Sequence, residues 1–111
     1  MTRLPDYAVL DLKLERLPPE ALRDLQAERL RAMVRYVYES TPCWRRKFEA
    51  ANLTPDDVQG LDDLPRIPFV TKQELQDDQE ANPPFGSYSA SPPSTWTRFM
   101  ATSGTTGRPL R

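Results

Sequence analysis

The chain of 111 residues contains no histidine and a single cysteine, Cys43. Without histidine, these residues cannot form a Ser–His or Cys–His nucleophilic pair or a His-ligated zinc site. One cysteine cannot form an intrachain disulfide or a thiolate metal cluster. We therefore expect no metal site. The three Asp–Asp pairs are interpreted as turn and cap residues; they stand at 56–57, 62–63 and 77–78.

Long apolar runs are also missing. The first twenty residues are interrupted by charges and prolines and do not resemble a signal peptide. No stretch approaches the ~20 apolar residues that a membrane span needs. Fifteen basic and sixteen acidic residues give a net charge of −1, which offers no broad attraction to nucleic acid or an anionic membrane. The composition predicts a cytoplasmic protein that binds neither.

Proline, by contrast, is abundant, with twelve residues that fall between candidate elements. A long helix is predicted from Pro19 to about Ser40, where apolar residues recur at helical spacing: Leu22, Leu25, Leu30, Met33, Val34 and Val37. A second helix is expected from about Pro42 to Ala51. A third begins at Thr71, which forms a capping-box pattern with Glu74, and reaches about residue 80. Residues 19–80 are therefore predicted to be mainly α-helical.

The remaining segments are predicted to be connections. Residues 1–17 are expected to wrap loosely, and residues 54–57 (TPDD) to form a capped single turn. Residues 61–70 are interpreted as an extended connector, and the Pro- and Ser-rich residues 82–94 as a surface loop or interdomain connector. Residues 95–101 alternate and are rich in β-forming side chains, which predicts a strand.

A single strand needs neighbours to satisfy its backbone hydrogen bonds. Because the chain stops two residues after Pro109, we expect a sequence that is cut rather than finished, and hence an incomplete fold.

The stretch TSGTTGRP carries the candidate chemistry. Two glycines allow tight turns that bring backbone N–H groups close to an anion, hydroxyl groups add donors, and arginine adds a planar fork of donors suited to phosphate oxygens. The candidate phosphate-binding residues are Thr102, Ser103, Gly104, Thr105, Thr106, Gly107 and Arg108. The spacing is not that of the usual P-loop, which has four residues between its glycines and then Lys-Ser/Thr. Spacing alone also fits a flexible turn between strands.

The motif TSGTTGRP closely resembles the phosphate-binding signature of the adenylate-forming superfamily. Upstream, several stretches look like the phenylacetate–CoA ligase branch: 28–39, Pro42, 45–48, 61–64, 67–69, and Thr71-Lys72 with Leu75. The resemblance implies that residues 103–107 hold the β- and γ-phosphates of ATP and that Thr102 sets the entry of the loop. Arg108 stands where the family more often has lysine.

The resemblance implies an AMP-forming acid–CoA ligase, with an aryl acid such as phenylacetate, ATP and CoA as substrates and Mg²⁺ assisting. It divides the chain into an amino-terminal helical segment (1–81), a connector (82–94) and the start of an α/β adenylate-forming domain (95–111), with its first strand and phosphate loop. The adenine contacts, acyl pocket and catalytic lysine of the family lie further along, so no catalytic residue is assigned here. The 111 residues alone are expected to be inactive.

Two other functions stay open. Residues 19–80 also fit a non-catalytic helical interaction module, and the related ligases suggest a homodimer through this segment. Coenzyme F390 synthetase-like and peptide-synthetase-like relatives share the same loop.

Three further features of the first two predicted helices raise the question of a chemical role. The run Arg45-Arg46-Lys47 fits a phosphate or CoA patch, although a solvated helix face is favoured. The aromatic residues 36, 38, 44 and 48 fit core or subunit contacts better than an acid-binding pocket. The basic neighbours of Cys43 could lower its thiol pKa, but a nucleophilic role is disfavoured without histidine.

Overall fold

The computed structural model describes residues 11–104, 107 and 109–111. In this part of the chain, four α-helices succeed one another: α1 (Leu12–Glu15), α2 (Pro19–Ser40), α3 (Pro42–Ala50) and α4 (Lys72–Ala81). The same residues form three short 3₁₀ helices at Pro55–Asp57, Leu61–Arg66 and Pro93–Thr95. The prediction of a mainly helical segment over 19–80 is confirmed, and within the described residues no strand is formed.

Prolines set the start of helices α2 and α3. Pro19 occupies the first turn of α2, where its missing N–H costs no intrahelical bond. Thr41 ends α2 in an extended conformation, and Pro42 starts α3 at once. The chain therefore reverses without a loop, so that α3 folds back on α2.

A small apolar core lies between α2, α3 and the 3₁₀ helices. Its buried members are Val34, Phe48, Leu53 and Val58, flanked by Leu30, Tyr38, Trp44 and Ile67. The Phe48 side chain is 1% exposed, and its ring meets those of Tyr38 and Trp44 edge-on at centroid distances of 6.0 and 6.4 Å. The core interpretation of these three rings is confirmed. Tyr36 is instead half exposed.

Side-chain caps start the short elements. The Asp57 carboxylate accepts hydrogen bonds from both the N–H and the hydroxyl of Thr54, at 2.7 and 2.9 Å, which confirms the capped turn over 54–57. At α4, Thr71 N–H donates to Glu74 Oε2 at 2.7 Å, and Glu74 N–H donates to Thr71 Oγ1 at 3.2 Å. The predicted capping box is thereby confirmed.

The interpretation of residues 61–70 as extended throughout was wrong, because Leu61–Arg66 forms a 3₁₀ helix. Asp63 Oδ2 accepts from the N–H groups of Gln59 and Gly60, at 2.9 and 3.3 Å, and so holds the entry of this turn. These backbone hydrogen bonds, the first of them above all, lower the pKa of Asp63. Asp63 lies three residues after Gly60, the residue that precedes the first turn. A carboxylate at this position is a sequence signal for the start of a helix.

The loose wrapping expected for residues 1–17 was wrong in its last part. Asp11 Oδ1 accepts from the N–H groups of Lys13 and Leu14, at 2.9 and 3.0 Å, and caps helix α1. Residues 1–10 lie outside the described part of the chain.

The strand expected over 95–101 is not present in the structure. Thr95 ends a 3₁₀ helix whose N–H groups bond back to Pro92 and Pro93. Beyond it, Trp96 is extended, but no ladder forms on 96–101 within the described residues. The ring of Phe85 packs edge-on against Trp96 at 4.8 Å and Phe99 at 5.9 Å. Residues 96–101 therefore contact the connector through aromatic side chains, whereas a strand would need a neighbouring strand for its backbone groups.

Candidate functional site

The candidate phosphate loop closes on itself at its base. Thr102 N–H donates to the Leu110 carbonyl at 2.9 Å, and Leu110 N–H donates back to Thr102 Oγ1 at 2.9 Å. The two bonds bring residues 102 and 110 side by side. Thr102, assigned from the sequence to the entry of the loop, therefore joins the entry to the exit.

Glycine is required within this loop for backbone reasons. Gly104 and Gly107 have φ values of +65° and +79°, in the left-handed region, and Gly107 N–H donates to the Gly104 carbonyl at 2.7 Å. Among the residues that the structure describes, a Cβ atom on Gly104 would lie 3.1 Å from Pro109, whereas one on Gly107 would meet no atom within 4 Å. The turn is filled on the Gly104 side and open on the Gly107 side, where a ligand can approach the backbone.

The structure brings four of the seven sequence-predicted residues into this closed turn: Thr102, Ser103, Gly104 and Gly107. Ser103 and Gly107 are exposed. The other three, Thr105, Thr106 and Arg108, lie outside the described residues. An exposed turn with hydroxyl and N–H donors suits an anionic ligand, because such a ligand retains part of its hydration.

The residues after the loop contact helix α4. Gln79 Nε2 donates to the Pro109 carbonyl at 3.2 Å, and Arg111 N–H donates to Gln79 Oε1 at 2.8 Å. The Tyr88 hydroxyl donates to the Arg111 carbonyl at 3.0 Å. Burial, followed by the nearby Asp78 carboxylate, raises the pKa of Tyr88. No sequence motif pointed to Gln79 or Tyr88.

A shallow cleft of about 280 Å³ lies beside this contact. Its walls come from the last turns of α4, the following prolines and the loop: Gln76, Gln79, Glu80, Pro83, Pro84, Gly107, Pro109 and Arg111. The open side of Gly107 therefore faces a concave surface.

Asp78, one residue before Gln79, holds the connector against α4. Its side chain is 9% exposed and accepts hydrogen bonds from the Ser87 N–H, from Ser87 Oγ at 2.6 Å and from Asn82 Nδ2 at 3.1 Å. Arg46 Nη2 of α3 pairs with the same carboxylate at 3.2 Å and with Ser87 Oγ at 2.9 Å. Asp78 thus joins α3, α4 and the connector.

The basic run 45–47 is engaged with the protein, so the solvated-face interpretation was incomplete. Arg45 donates to the carbonyls of Tyr38 and Glu39, both at 3.0 Å, and satisfies the end of α2. Lys47 Nζ lies 2.6 Å from Glu74 Oε1, with its side chain only 18% exposed. Arg45 and Arg46 remain exposed at the surface, as favoured. Three bound cations do not form a free patch for phosphate or CoA.

Cys43 is buried, and burial is the main cause that raises the pKa of its thiol. The Asp78 carboxylate also raises it, whereas Arg46 and Lys47 lower it. The suggestion that basic neighbours lower this pKa was therefore right in sign but wrong in outcome, since desolvation of the thiolate outweighs them. A neutral buried thiol is a poor nucleophile, which agrees with the disfavoured catalytic role.

Within 11–104, 107 and 109–111, no three His, Cys, Asp or Glu side chains are grouped closely enough to hold a metal ion. None of the helices described above combines the length and apolar character needed to cross a bilayer.

Comparison with known proteins identifies relatives among CoA ligases. No protein-family model matches the chain. It is 48% identical over 81 residues to a phenylacetate-coenzyme A ligase of Thermus thermophilus and 44% identical over 81 residues to one of Escherichia coli, in each case 73% of this chain and 17% of the relative. A phenylacetate-coenzyme A ligase of Pseudomonas putida is 39% identical over 104 residues, 94% of this chain and 22% of the relative.

Solved structures of a 2-hydroxyisobutyryl-CoA ligase are also similar. The structure with 2-HIB-AMP and CoA in the thioesterification state has a TM-score of 0.79 and 38% identity, covering 85% of this chain and 20% of that chain. The postadenylation state with 2-HIB-AMP has a TM-score of 0.78 and 35% identity over 85% of this chain and 19% of that chain. The chain spans about one fifth of the length of these relatives. Over that span, the resemblance to the phenylacetate–CoA ligase branch is confirmed.

Proposed function

We propose that this chain is the amino-terminal part of an ATP-dependent, AMP-forming carboxylic acid–CoA ligase, and that its acid is an aryl acid such as phenylacetate. The observation that carries the proposal is the closed Ser/Thr/Gly turn over 102–110, open at Gly107, in a chain similar to CoA ligases. The substrates would be the acid, ATP as its Mg²⁺ complex, and CoA.

The reaction proposed for the complete protein has two halves. The acid's carboxylate attacks the α-phosphorus of ATP, which forms an acyl-adenylate and releases pyrophosphate. The CoA thiolate then attacks the acyl carbon, forms the thioester and releases AMP. Residues 102–108 would hold the β- and γ-phosphates and stabilise the charge that accumulates on the leaving pyrophosphate.

The individual roles follow from donor chemistry. Thr102 would keep the loop closed, and Gly104 and Gly107 would supply the left-handed backbone. Ser103, Thr105 and Thr106 would donate hydroxyl hydrogen bonds, and the Arg108 guanidinium would add a positive charge. In the family that the chain resembles, the adenine contacts, the acyl pocket and the catalytic lysine lie further along, so these 111 residues alone would not turn over.

The same proposal accounts for residues 95–101. In a complete adenylate-forming domain, other strands would provide the neighbours that this stretch lacks, and it would then form the first strand. The proposed division is a helical segment (1–81), a connector (82–94) and the start of the large domain (95–111).

The test is the double replacement Ser103→Ala/Thr105→Ala in the complete ligase. We expect weaker MgATP binding and a slower acid-dependent pyrophosphate exchange, by about tenfold or more, because hydrogen bonds to charged groups contribute roughly 1.5–3 kcal/mol each. Ser89→Ala is the matched control, since Ser89 Oγ donates only to the Ser91 carbonyl at the exposed surface. An unchanged exchange rate in the double variant would rule out the phosphate-binding assignment.

A second candidate function rests on the surface of α2. Leu22, Met33 and Tyr36 are exposed and lie within about 60° of one another around the helix axis. Such a stripe suits a homodimer or a helical interaction module. If α2 forms such a module, removal of residues 95–111 leaves the oligomeric state of the chain unchanged, which sedimentation equilibrium measures. A change of oligomeric state on that removal would contradict the module.

A further inference from the structure

Gln79 binds the backbone after the loop with both ends of its side-chain amide. The Nε2 group donates to the carbonyl of Pro109, and the Oε1 atom accepts from the N–H of Arg111, two residues later. In a parallel sheet, one residue binds in the same way the C=O and the N–H of the two residues that flank the residue opposite it. The side-chain amide of Gln79 thus stands where a neighbouring strand would be.

This contact has a fixed geometric relation to the loop. Pro109 also lies 3.1 Å from the position of a Cβ atom on Gly104, and Leu110, between the two bound residues, closes the base of the loop with Thr102. Gln79 therefore holds one side of the turn, and the two hydrogen bonds between Thr102 and Leu110 hold the other. The Tyr88 hydroxyl donates to the Arg111 carbonyl and so adds one hydrogen bond to the two that Gln79 forms.

Helix α4 gives Gln79 a firm base. The capping box of Thr71 and Glu74 fixes the start of the helix, the ion pair of Glu74 with Lys47 links it to α3, and Asp78 links it to Arg46. The position of the loop is in this way tied to the helical core through one half-buried amide.

We infer that Gln79 is a positioning residue for the phosphate loop: by clamping the backbone of residues 109–111, it sets the distance between the loop and helix α4. The inference rests on the proposed function for its catalytic consequence but not for its structural one. Gln79 touches no substrate; it acts through the backbone of the loop. Loss of the clamp removes none of the loop's hydrogen-bond donors, but it shifts them out of alignment with the pyrophosphate of ATP.

The structural part is tested in the 111-residue chain by NMR, without any ligand. Gln79→Ala is expected to shift the amide resonances of Gly107 and Leu110 and to speed their hydrogen exchange by about tenfold, as the loss of one to two hydrogen bonds implies. Gln73→Ala is the matched control on the same helix, because Gln73 Nε2 bonds only the exposed Asp77 at 2.8 Å. Unchanged Gly107 and Leu110 amides in Gln79→Ala would overturn the inference.

The catalytic part is tested in the complete ligase by steady-state kinetics. Gln79→Ala should raise the KM for MgATP about tenfold while the KM for the acid stays unchanged, and Tyr88→Phe should act in the same direction more weakly. Equal rises in both KM values, or normal kinetics, would overturn the positioning role.

A pH profile of Gln79→Glu separates positioning from mere support of the fold. The ionised carboxylate has no proton to donate to the Pro109 carbonyl, whereas the protonated form does, and its other oxygen still accepts from Arg111. We expect the KM for MgATP of Gln79→Glu to approach that of the unmodified enzyme as the pH falls from 6 to 4, a range that spans the ordinary glutamic acid pKa of about 4.3. A parallel profile for the two enzymes would contradict the inference.

The two proposals fail in distinguishable ways. If Ser103→Ala/Thr105→Ala leaves pyrophosphate exchange unchanged, the proposed function is wrong, and the NMR comparison still decides whether Gln79 holds the loop. If the double variant is slow but Gln79→Ala is normal, the phosphate assignment stands and the positioning role is wrong.

Discussion

The helical unit (residues 19–81) and the segment that follows it (residues 82–111, the docked segment) are held by different forces. The helical unit surrounds an apolar core in which Phe48 and Val58 are almost completely buried. Among its described residues, the docked segment buries no large apolar side chain, and its aromatic cluster leaves Phe99 more than half exposed. It is attached by polar groups, mainly Asp78 and Gln79 of α4.

The difference matters for function. Apolar burial is non-directional and tolerates small adjustments, whereas a hydrogen-bonded attachment depends on a few atoms in fixed positions. A loop that must align with a polyphosphate gains geometric precision from such an attachment. The cost is that single polar residues decide whether the docked segment is in place.

The largest expected effect comes from the core. Phe48→Ala removes the ring that contacts Tyr38 and Trp44, and should destabilise the helical unit by about 3–5 kcal/mol, enough to unfold it. Urea denaturation followed by far-ultraviolet circular dichroism measures this. Phe69→Ala is the matched control, since Phe69 is 93% exposed and should change stability by less than about 0.5 kcal/mol. Similar losses for both variants would contradict the core assignment.

A smaller, local effect is expected at Gly86. Its φ of +76° strains any other residue, and a Cβ atom there would lie 2.5 Å from the Tyr88 ring and 2.7 Å from Asp78 Oδ2. Gly86→Ala should therefore detach the docked segment, at a local cost of roughly 1–3 kcal/mol, while the helical unit stays folded.

Amide hydrogen exchange checks this prediction at Ser87 and Leu110, both of which should lose protection. Gly60→Ala provides the comparison, because Gly60 has an ordinary extended φ of −164° and open space around its Cα. Retained protection at Ser87 in Gly86→Ala would show that the connector can adapt.

The smallest effect concerns the ion pair that joins α4 to the core. Lys47 and then Thr71, through its N–H and hydroxyl, hydrogen bond to Glu74 and lower the pKa of its carboxyl from 4.5 to about 2. A lowered native pKa means that the stabilisation is complete above pH 4.5 and is lost as the pH falls toward 2. Stability should therefore decrease over this window less steeply in Glu74→Gln than in the unmodified chain.

Urea midpoints at pH 5, 4, 3 and 2 provide the measurement, with Glu49→Gln as an exposed helical control. Superimposable pH profiles for Glu74→Gln and the unmodified chain would refute the role of this ion pair.

Local patterns in the sequence predicted much of the helical unit. The apolar periodicity of α2, the prolines at 19 and 42 and the capping box at Thr71 each depend on residues within one or two turns. The resemblance to the ligases likewise depended on contiguous motifs. The 3₁₀ helix Leu61–Arg66 was missed because a short proline-containing stretch fits both an extended and a turned backbone until the Asp63 cap is weighed.

The sequence by itself determined helices α2, α3 and α4, the caps at 54–57 and Thr71, the glycines of the loop and the similarity to CoA ligases. Only the tertiary structure decided the partners of Lys47, Arg46 and Gln79, which lie 27 to 41 residues away along the chain. It also decided the raised thiol pKa of Cys43, where burial outweighs adjacent positive charge. The physical reason is the same in both cases: hydrogen bonding and desolvation depend on which groups meet in space, and no short-range pattern encodes those meetings.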